Sequence, residues 1–280
     1  MKHAYLIIAH DNFMVLDKLV KALDYEKNDI FVHFDKKVRD LPLLCTINSN
    51  LYILENRIDV RWGHVSQIET EFVLFEFALR HGDYEYLHLV SGTHFPLKSQ
   101  AEIHAYFKAM GSKSVFTPII WSEADIARKL GYYHFFLKGQ SFGNKLNRKL
   151  KNLLWRLLFR MQCCNRKRVE ELFKGKISNW VSLSGKDARY VVEQRKEVLR
   201  KFKYSFCGDE LFLPYIFGNK CLDYIESSIT LYQIFQGASP RILSDSNEDD
   251  ILKSGCLFAR KFSDDDMGII DKIAKTWKNH

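Results

Sequence analysis

Short apolar runs alternate with helical periodicities through residues 1–120 of this chain, and few folds accommodate that alternation. Ala4–Ala9 is apolar at every position, as a strand covered on both faces must be, and Met14–Leu23 then sets Leu16, Leu19, Val20 and Leu23 on one helical face. Asp29–Phe34 and Leu51–Leu54 read as further strands. His64–Leu79 reads as a helix with Ile68, Phe72, Phe75 and Leu79 at three-to-four spacing, Tyr86–Val90 as another buried strand, and Gln100–Met110 as a helix. Strands separated by helices are βαβ units, so the fold class is α/β, a mostly parallel sheet flanked by helices. Trp180–Leu183 reads as a later strand leading into a helix over Lys186–Leu199. With no repeat, low-complexity tract or evident linker, the chain reads as one domain over 1–280.

At 280 residues, 46% hydrophobic and 27% charged, the chain can bury a sizeable core and does not resemble a disordered segment. Its longest apolar runs are far too short to span a bilayer, and Lys2 followed by a brief apolar stretch is no signal peptide, so export is not expected. The six cysteines, Cys45, Cys163, Cys164, Cys207, Cys221 and Cys256, are then expected as free thiols. No CxxC, HExxH or ligand-spaced cluster points to structural zinc.

The net charge of +8 is concentrated. Between Phe142 and Arg168 stand nine Lys and Arg residues and no acid, so the rest of the chain is nearly neutral. Leu146, Leu150, Leu153, Leu154, Leu157, Leu158 and Met161 recur there at helical spacing, which predicts a basic amphipathic helical segment over about 142–172. A core-packed helix with a solvated charged face is the favoured reading. Next comes docking on an anionic membrane surface, for which Trp155 and Phe159 are suited. Nucleic-acid binding comes last and is not expected, because no recognisable module spreads the basic residues.

In open α/β sheets ligands bind beyond the carboxyl ends of the strands. The residues there are polar: His10 and Asp11 after the first strand, Asp35, Lys36 and Lys37 after the second, and Ser91, Gly92, Thr93 and His94 after the fourth. A dinucleotide site would need GxGxxG where His10-Asp11-Asn12-Phe13 stands, and no Walker loop is present. Nicotinamide and flavin are disfavoured.

The strings AYLIIAHDN, VHFDKK, RWGHVS, YLHLVSGTHFPLKS, SNWVSLS, GDELFLPYI and LFARKF occur in that order between residues 4 and 262. In this combination the chain resembles the core-2/I-branching glycosyltransferases, which include the peptide-O-xylosyltransferases; correspondence is least between Gly111 and Lys174. The resemblance implies a GT-A type, Rossmann-like fold, a UDP-sugar donor, inversion at the anomeric carbon, and neither cofactor nor obligate metal. Asp264-Asp265-Asp266, near the carboxyl terminus, reads as a solvated helix start, as do Asp249 and Asp250.

By that resemblance Glu210 in GDELF is the general base, with Asp209 as a helix cap and Gly208 allowing a tight turn. Arg260 and Lys261 are the cations that stabilise the departing diphosphate, and Arg241 is a further candidate. His10 and Asp35 point to nucleoside recognition, Ser91 and Trp62 to the donor pocket, and Trp180 to the acceptor side. Two departures stand out: His94 where many relatives have Asp, and His64 where a second glycine follows Trp62-Gly63. Ser91 is Cys in some relatives. The function expected is transfer of a sugar, N-acetylglucosamine foremost, to a hydroxyl of a glycan or lipid-linked glycan. The alternatives are a xylosyl or galactosyl transferase, and a non-catalytic glycan- or membrane-binding module. The location expected is the cytoplasm, with peripheral contact at the inner face of the membrane.

Overall fold

A computed structural model of the chain describes residues 2–137, 145–237 and 239–277. Its first half contains β1 (His3–Ala9), α1 (Phe13–Leu23), β2 (Asn28–Phe34), β3 (Asn50–Ile53), α2 (Ser66–His81), β4 (Tyr86–Ser91), β5 (Phe95–Pro96), α3 (Gln100–Ala109) and β6 (Ser114–Phe116). Then follow α4 (Glu123–Leu130), α5 (Lys145–Arg160), α6 (Arg166–Leu172), β7 (Ser182–Ser184), α7 (Gly185–Glu193), α8 (Arg195–Phe202), α9 (Phe212–Lys220) and β8 (Tyr224–Glu226). The last part holds β9 (Leu231–Tyr232), β10 (Phe235–Gln236), β11 (Ser239–Pro240), α10 (Glu248–Lys253), β12 (Phe258–Ala259) and α11 (Gly268–Trp277).

The central sheet runs β3-β2-β1-β4-β7-β6-β8, and β7 alone is antiparallel to its neighbours. A small sheet, β5-β12-β9, lies beside it. This is the mostly parallel α/β architecture anticipated above. β1 shows why its run is unbroken: Ala4 and Leu6 enter one apolar cluster with Phe72 and Phe75 of α2, while Tyr5, Ile7 and Ala9 enter another with Leu16, Leu19 and Val20 of α1. Each such large side chain taken from water contributes about 1.5–3 kcal/mol. Side chains close several helix starts. Ser99 and Glu102 form a capping box on α3, and Ser184 Oγ accepts the Asp187 N–H on α7.

Four local expectations change. The strand anticipated at Trp180–Leu183 is shifted to Ser182–Ser184, and the helix at Lys186–Leu199 is two helices, α7 and α8. The polar run Glu193–Lys196 offers the core nothing to hold there. Asp264 does not begin a solvated helix of its own. Its Oδ1 accepts the Val15 N–H at 2.9 Å while Asn12 Oδ1 accepts the Asp264 N–H at 2.9 Å, so the acid closes the start of α1. Asp249 and Asp250 do lie in the first turn of α10.

The basic segment differs most. It comprises two helices, α5 and α6, with 142–144 outside the described residues. Trp155 and Phe159 of α5 pack against Tyr132 and His134. Leu150, Leu153, Leu154, Leu157 and Met161, at i, i+3, i+4, i+7 and i+11, stay exposed, Met161 by 81%. The favoured reading of a core-packed leucine stripe is therefore wrong: an aromatic edge packs, these four leucines and Met161 face outward, and Leu158 is half-buried. All six cysteines are free thiols.

Candidate active site

The chain runs from β1 outward to β2 and β3, then crosses to β4 on the other side of β1, and such a reversal opens a crevice at the carboxyl ends of the two central strands. The ends approach closely: Gly92 N–H donates to Ile8 C=O at 2.9 Å, and a Cβ on Gly92 would lie 3.2 Å from Ala9 Cβ. Because β7 runs backwards, the residues before it, Asn179 and Trp180, reach the same edge, fixed by a Leu89 N–H to Val181 C=O bond of 2.8 Å. β12 delivers Arg260 and Lys261, whose flanks are fixed by bonds of 3.0 Å from Arg260 N–H to Tyr232 C=O and from Phe262 N–H to Thr93 C=O.

These elements enclose a cavity of about 320 Å³. His10, Asp35, Trp62, Ser91, Trp180, Arg260 and Lys261 all line it, although they are spread from residue 10 to residue 261. A more open groove of about 480 Å³ shares His10, Asp35 and Lys37 with it. Asp35 is buried and ion-paired to Lys37 at 2.7 Å. Ser91 Oγ contacts Thr93 Oγ1 at 2.9 Å and His94 Nδ1 at 2.7 Å. His94 Nδ1 also accepts the Ser91 N–H at 3.0 Å, which assigns the ring proton to Nε2. Burial, with Arg260 nearby, holds this imidazole neutral, its pKa well below the usual value. The Arg260 guanidinium lies over the Trp180 ring at 4.9 Å, and burial lowers its pKa to about 10, so it stays charged at neutral pH.

Arg241 does not join these residues; it is exposed, following β11. His64 is not in the lining either. Its Nδ1 accepts the Ser66 N–H at 3.1 Å, at the start of α2. Gly63 is required where it stands: its φ is +71°, and a Cβ there would fall 2.5 Å from Phe206 Cε2.

Glu210 is also outside the lining, in a short 3-10 turn, Gly208–Glu210, before α9. The left-handed residue of that turn is Cys207, φ +48°, rather than Gly208. Gly208 serves close packing instead, since a Cβ would meet Phe202 Cδ1 at 3.0 Å and Ile68 Cδ1 at 3.1 Å. The Glu210 carboxylate is held by Lys129 Nζ at 2.5 Å and Lys176 Nζ at 3.3 Å, two lysines that are themselves almost buried. Asp125 shares both cations, at 3.5 and 2.9 Å. Burial would raise the Asp125 carboxyl, but Lys176 and Lys129 bring it below the usual range. Burial would likewise lower the Lys129 ammonium, and Glu210 more than offsets this.

Asp209 caps no helix. It is buried, and its Oδ2 accepts from Gln67 Nε2 at 2.9 Å, while Gln67 Oε1 accepts the Gly63 N–H. Burial and the adjacent Glu210 charge push its pKa up to about 7. Gln67 and Glu71 of α2 complete the cavity wall. Neither was anticipated, yet Glu71 left a signal. With Ile68, Phe72 and Phe75 it occupies i, i+3, i+4 and i+7, an acid on the apolar face of its helix.

A cavity at the topological switch point, with half-buried cations on one side and buried carboxyls on another, lies where doubly wound α/β proteins bind their ligands. The model of the Core-2/I-branching enzyme family matches residues 3–230, so the chain belongs to that family of glycosyltransferases. It is 24% identical over 137 residues to the human N-acetyllactosaminide beta-1,6-N-acetylglucosaminyl-transferase, covering 47% of this chain and 34% of that protein. It is 22% identical, again over 137 residues and 47% of the chain, to the Mus musculus beta-1,3-galactosyl-O-glycosyl-glycoprotein beta-1,6-N-acetylglucosaminyltransferase 4, covering 30% of it. The matched stretch thus spans about a third of these relatives. Among solved structures, apo mouse xyloside xylosyltransferase 1 aligns with 91% of this chain and 97% of its own, at 8% identity and a TM-score of 0.41.

Proposed function

We propose that this protein is an inverting, metal-independent glycosyltransferase that moves a sugar, N-acetylglucosamine foremost, from a UDP donor to a hydroxyl of a glycan or lipid-linked glycan. The observation that carries this reading is the convergence of His10, Asp35, Trp62, Ser91, Trp180, Arg260 and Lys261 on one cavity. In this reading the nucleoside lies toward His10 and Asp35, where the open groove adjoins, and the diphosphate lies against Arg260 and Lys261. The acceptor hydroxyl attacks the anomeric carbon while Glu210 takes its proton. The bond to the diphosphate oxygen breaks, and the two fixed cations stabilise the charge that collects on UDP without a metal or other cofactor.

A thermal-shift panel of UDP, GDP and CMP sugars, with and without EDTA, tests this. Stabilisation by UDP and a UDP-sugar that survives EDTA is expected, since a ligand bound only by the folded state raises its stability. No response to any nucleotide would favour a non-catalytic glycan- or membrane-binding module. The strongest response to UDP-xylose or UDP-galactose would change the donor.

The outward leucine stripe of α5, among cations with no acid, supports peripheral docking on an anionic leaflet, and with it a cytoplasmic location at the inner face of the membrane. Flotation with phosphatidylglycerol vesicles tests this: wild type is expected to float, and Leu153→Glu/Leu157→Glu to remain behind. Equal behaviour of the two proteins would refute it.

A further inference from the structure

Buried polar atoms with no hydrogen-bond partner among the described residues gather around the cavity. They include both oxygens of Glu71, Asp209 Oδ1, Trp180 Nε1 and Arg260 Nε. Glu71 is the extreme case. It is fully buried, it lines the cavity, and among the described residues no Lys or Arg pairs with it. The mechanism above does not use it. A buried carboxyl left unpartnered is costly, and an apolar residue at this helix position would join Ile68, Phe72 and Phe75 in the core. Such a group is retained where a ligand completes it.

We infer that Glu71 reads the transferred sugar: its carboxyl, at the wall that α2 gives the cavity, hydrogen-bonds a hydroxyl of a neutral sugar. The inference rests on the proposed UDP-sugar reading. Burial, with the Asp209 charge nearby, drives the Glu71 pKa well up, so at neutral pH the group is a carboxylic acid. In that form it has one O–H to donate and oxygens that accept, which matches a sugar hydroxyl that also donates and accepts. A phosphate is a poor match. It would be drawn to Arg260 and Lys261, and beside Glu71 it would meet the Asp209 carboxyl. The cavity therefore sorts the donor by charge, diphosphate to the turn after β12 and sugar to α2. Gln67 is the positioning residue. One turn before Glu71, it ties the Gly63 loop to Asp209 and fixes the wall on which Glu71 stands.

The test is calorimetric titration of wild type, Glu71→Gln and Glu71→Met with UDP, with UDP-N-acetylglucosamine, UDP-xylose and UDP-galactose, and with monodeoxy analogues of whichever sugar nucleotide binds wild type best. All three proteins should bind UDP within about twofold of one another. Glu71→Met should weaken the best UDP-sugar by about tenfold or more, the scale of one lost buried hydrogen bond. Glu71→Gln, which keeps a donor and an acceptor, should recover most of that loss. One monodeoxy sugar should bind wild type and Glu71→Met alike, identifying the hydroxyl. An unchanged preference for UDP-sugar over UDP in Glu71→Met overturns the inference and leaves the function standing. A wild type that binds no UDP-sugar overturns both. Should Glu71→Met fail to fold, Glu71→Asp, which draws the carboxyl back by one methylene, decides when titrated with the deoxy series: equal discrimination of every analogue by wild type and Asp variant overturns the assignment.

Discussion

The Arg260 guanidinium lies over the Trp180 indole in the cavity wall, 4.9 Å from the centre of the ring. The cation arrives from the turn after β12 and the ring from the residues before β7, so two elements distant in sequence hold one charge in place. A half-buried guanidinium held over a ring is pre-organised and is not equivalent to a lysine there. Arg260→Ala is expected to lower turnover by about 10²- to 10³-fold, the usual cost of removing one fixed donor from a developing anion. Arg260→Lys should recover little. Steady-state transfer assays measure both.

Glu210→Gln is expected to leave UDP affinity unchanged and to lower transfer by about 10²- to 10⁴-fold, the range for loss of a general base. Lys129 and Lys176 fix this carboxylate, so Lys129→Met should also lower turnover while sparing UDP binding. Full activity in Glu210→Gln would move the base elsewhere.

Gly63→Ala is expected to cost about 1–3 kcal/mol, because a left-handed backbone and a collision with Phe206 combine at one atom. Urea unfolding reads this as a lower midpoint at unchanged slope.

Three histidines at the other end of the sheet weaken the native state in acid, as buried His33, His94 and His134 also do. His3 Nδ1 and His88 Nε2 are 3.0 Å apart, and His104 stacks on His3 at 3.7 Å. Burial, aided by the His104 imidazole, lowers His3 to about 3, and burial lowers His104 to about 4; His88 also lies well below the usual value. The unfolded chain therefore takes up more protons than the native state as pH falls from about 6.5 to about 4, and stability declines across that window. Urea midpoints at pH 7.5 and 5 measure it, and His104→Gln should flatten the slope.

Asp209 acts with the opposite sign. Its native pKa of about 7 lies above its unfolded value of about 3.9. The native state therefore holds the extra proton, and this contribution is full at low pH and disappears as pH rises from about 4 to about 7. Asp209→Asn, still able to accept from Gln67, is expected to be more stable than wild type at pH 7.5 and to lose that advantage by pH 4. Parallel urea titrations of the two proteins decide.

What the sequence made legible was set by periodicity. β1, α1, β2 and β4 lie within a residue or two of where their apolar patterns put them, since strands covered on both faces are built mainly of apolar residues, with a few buried polar ones such as His3, His33 and His88. The candidate site residues at strand ends were legible for the same reason: strand ends locate the crevice. Glu71 was hidden because it sits inside a helix that otherwise reads as core. Asp209 reads as a cap in the sequence because its partner, Gln67, lies far away in the chain. The outward turn of the α5 leucines was illegible too. Helical spacing states that a face is apolar, not what covers it.

The reversal of β7 divides the labour of the chain. Between β6 and β7 it leaves the sheet, carries Lys129, the leucine stripe and Lys176, and returns at Trp180 on the cavity wall. Apart from the bridge between Pro118 and Ile177, no described residue of this excursion takes part in β-pairing. Lengthening such a loop is cheap, because closure entropy grows only with the logarithm of its length. The excursion can therefore change in length while the sheet keeps its pairing, and a graft of this one segment would carry the outward leucine stripe of α5 and the Trp180 edge of the cavity together.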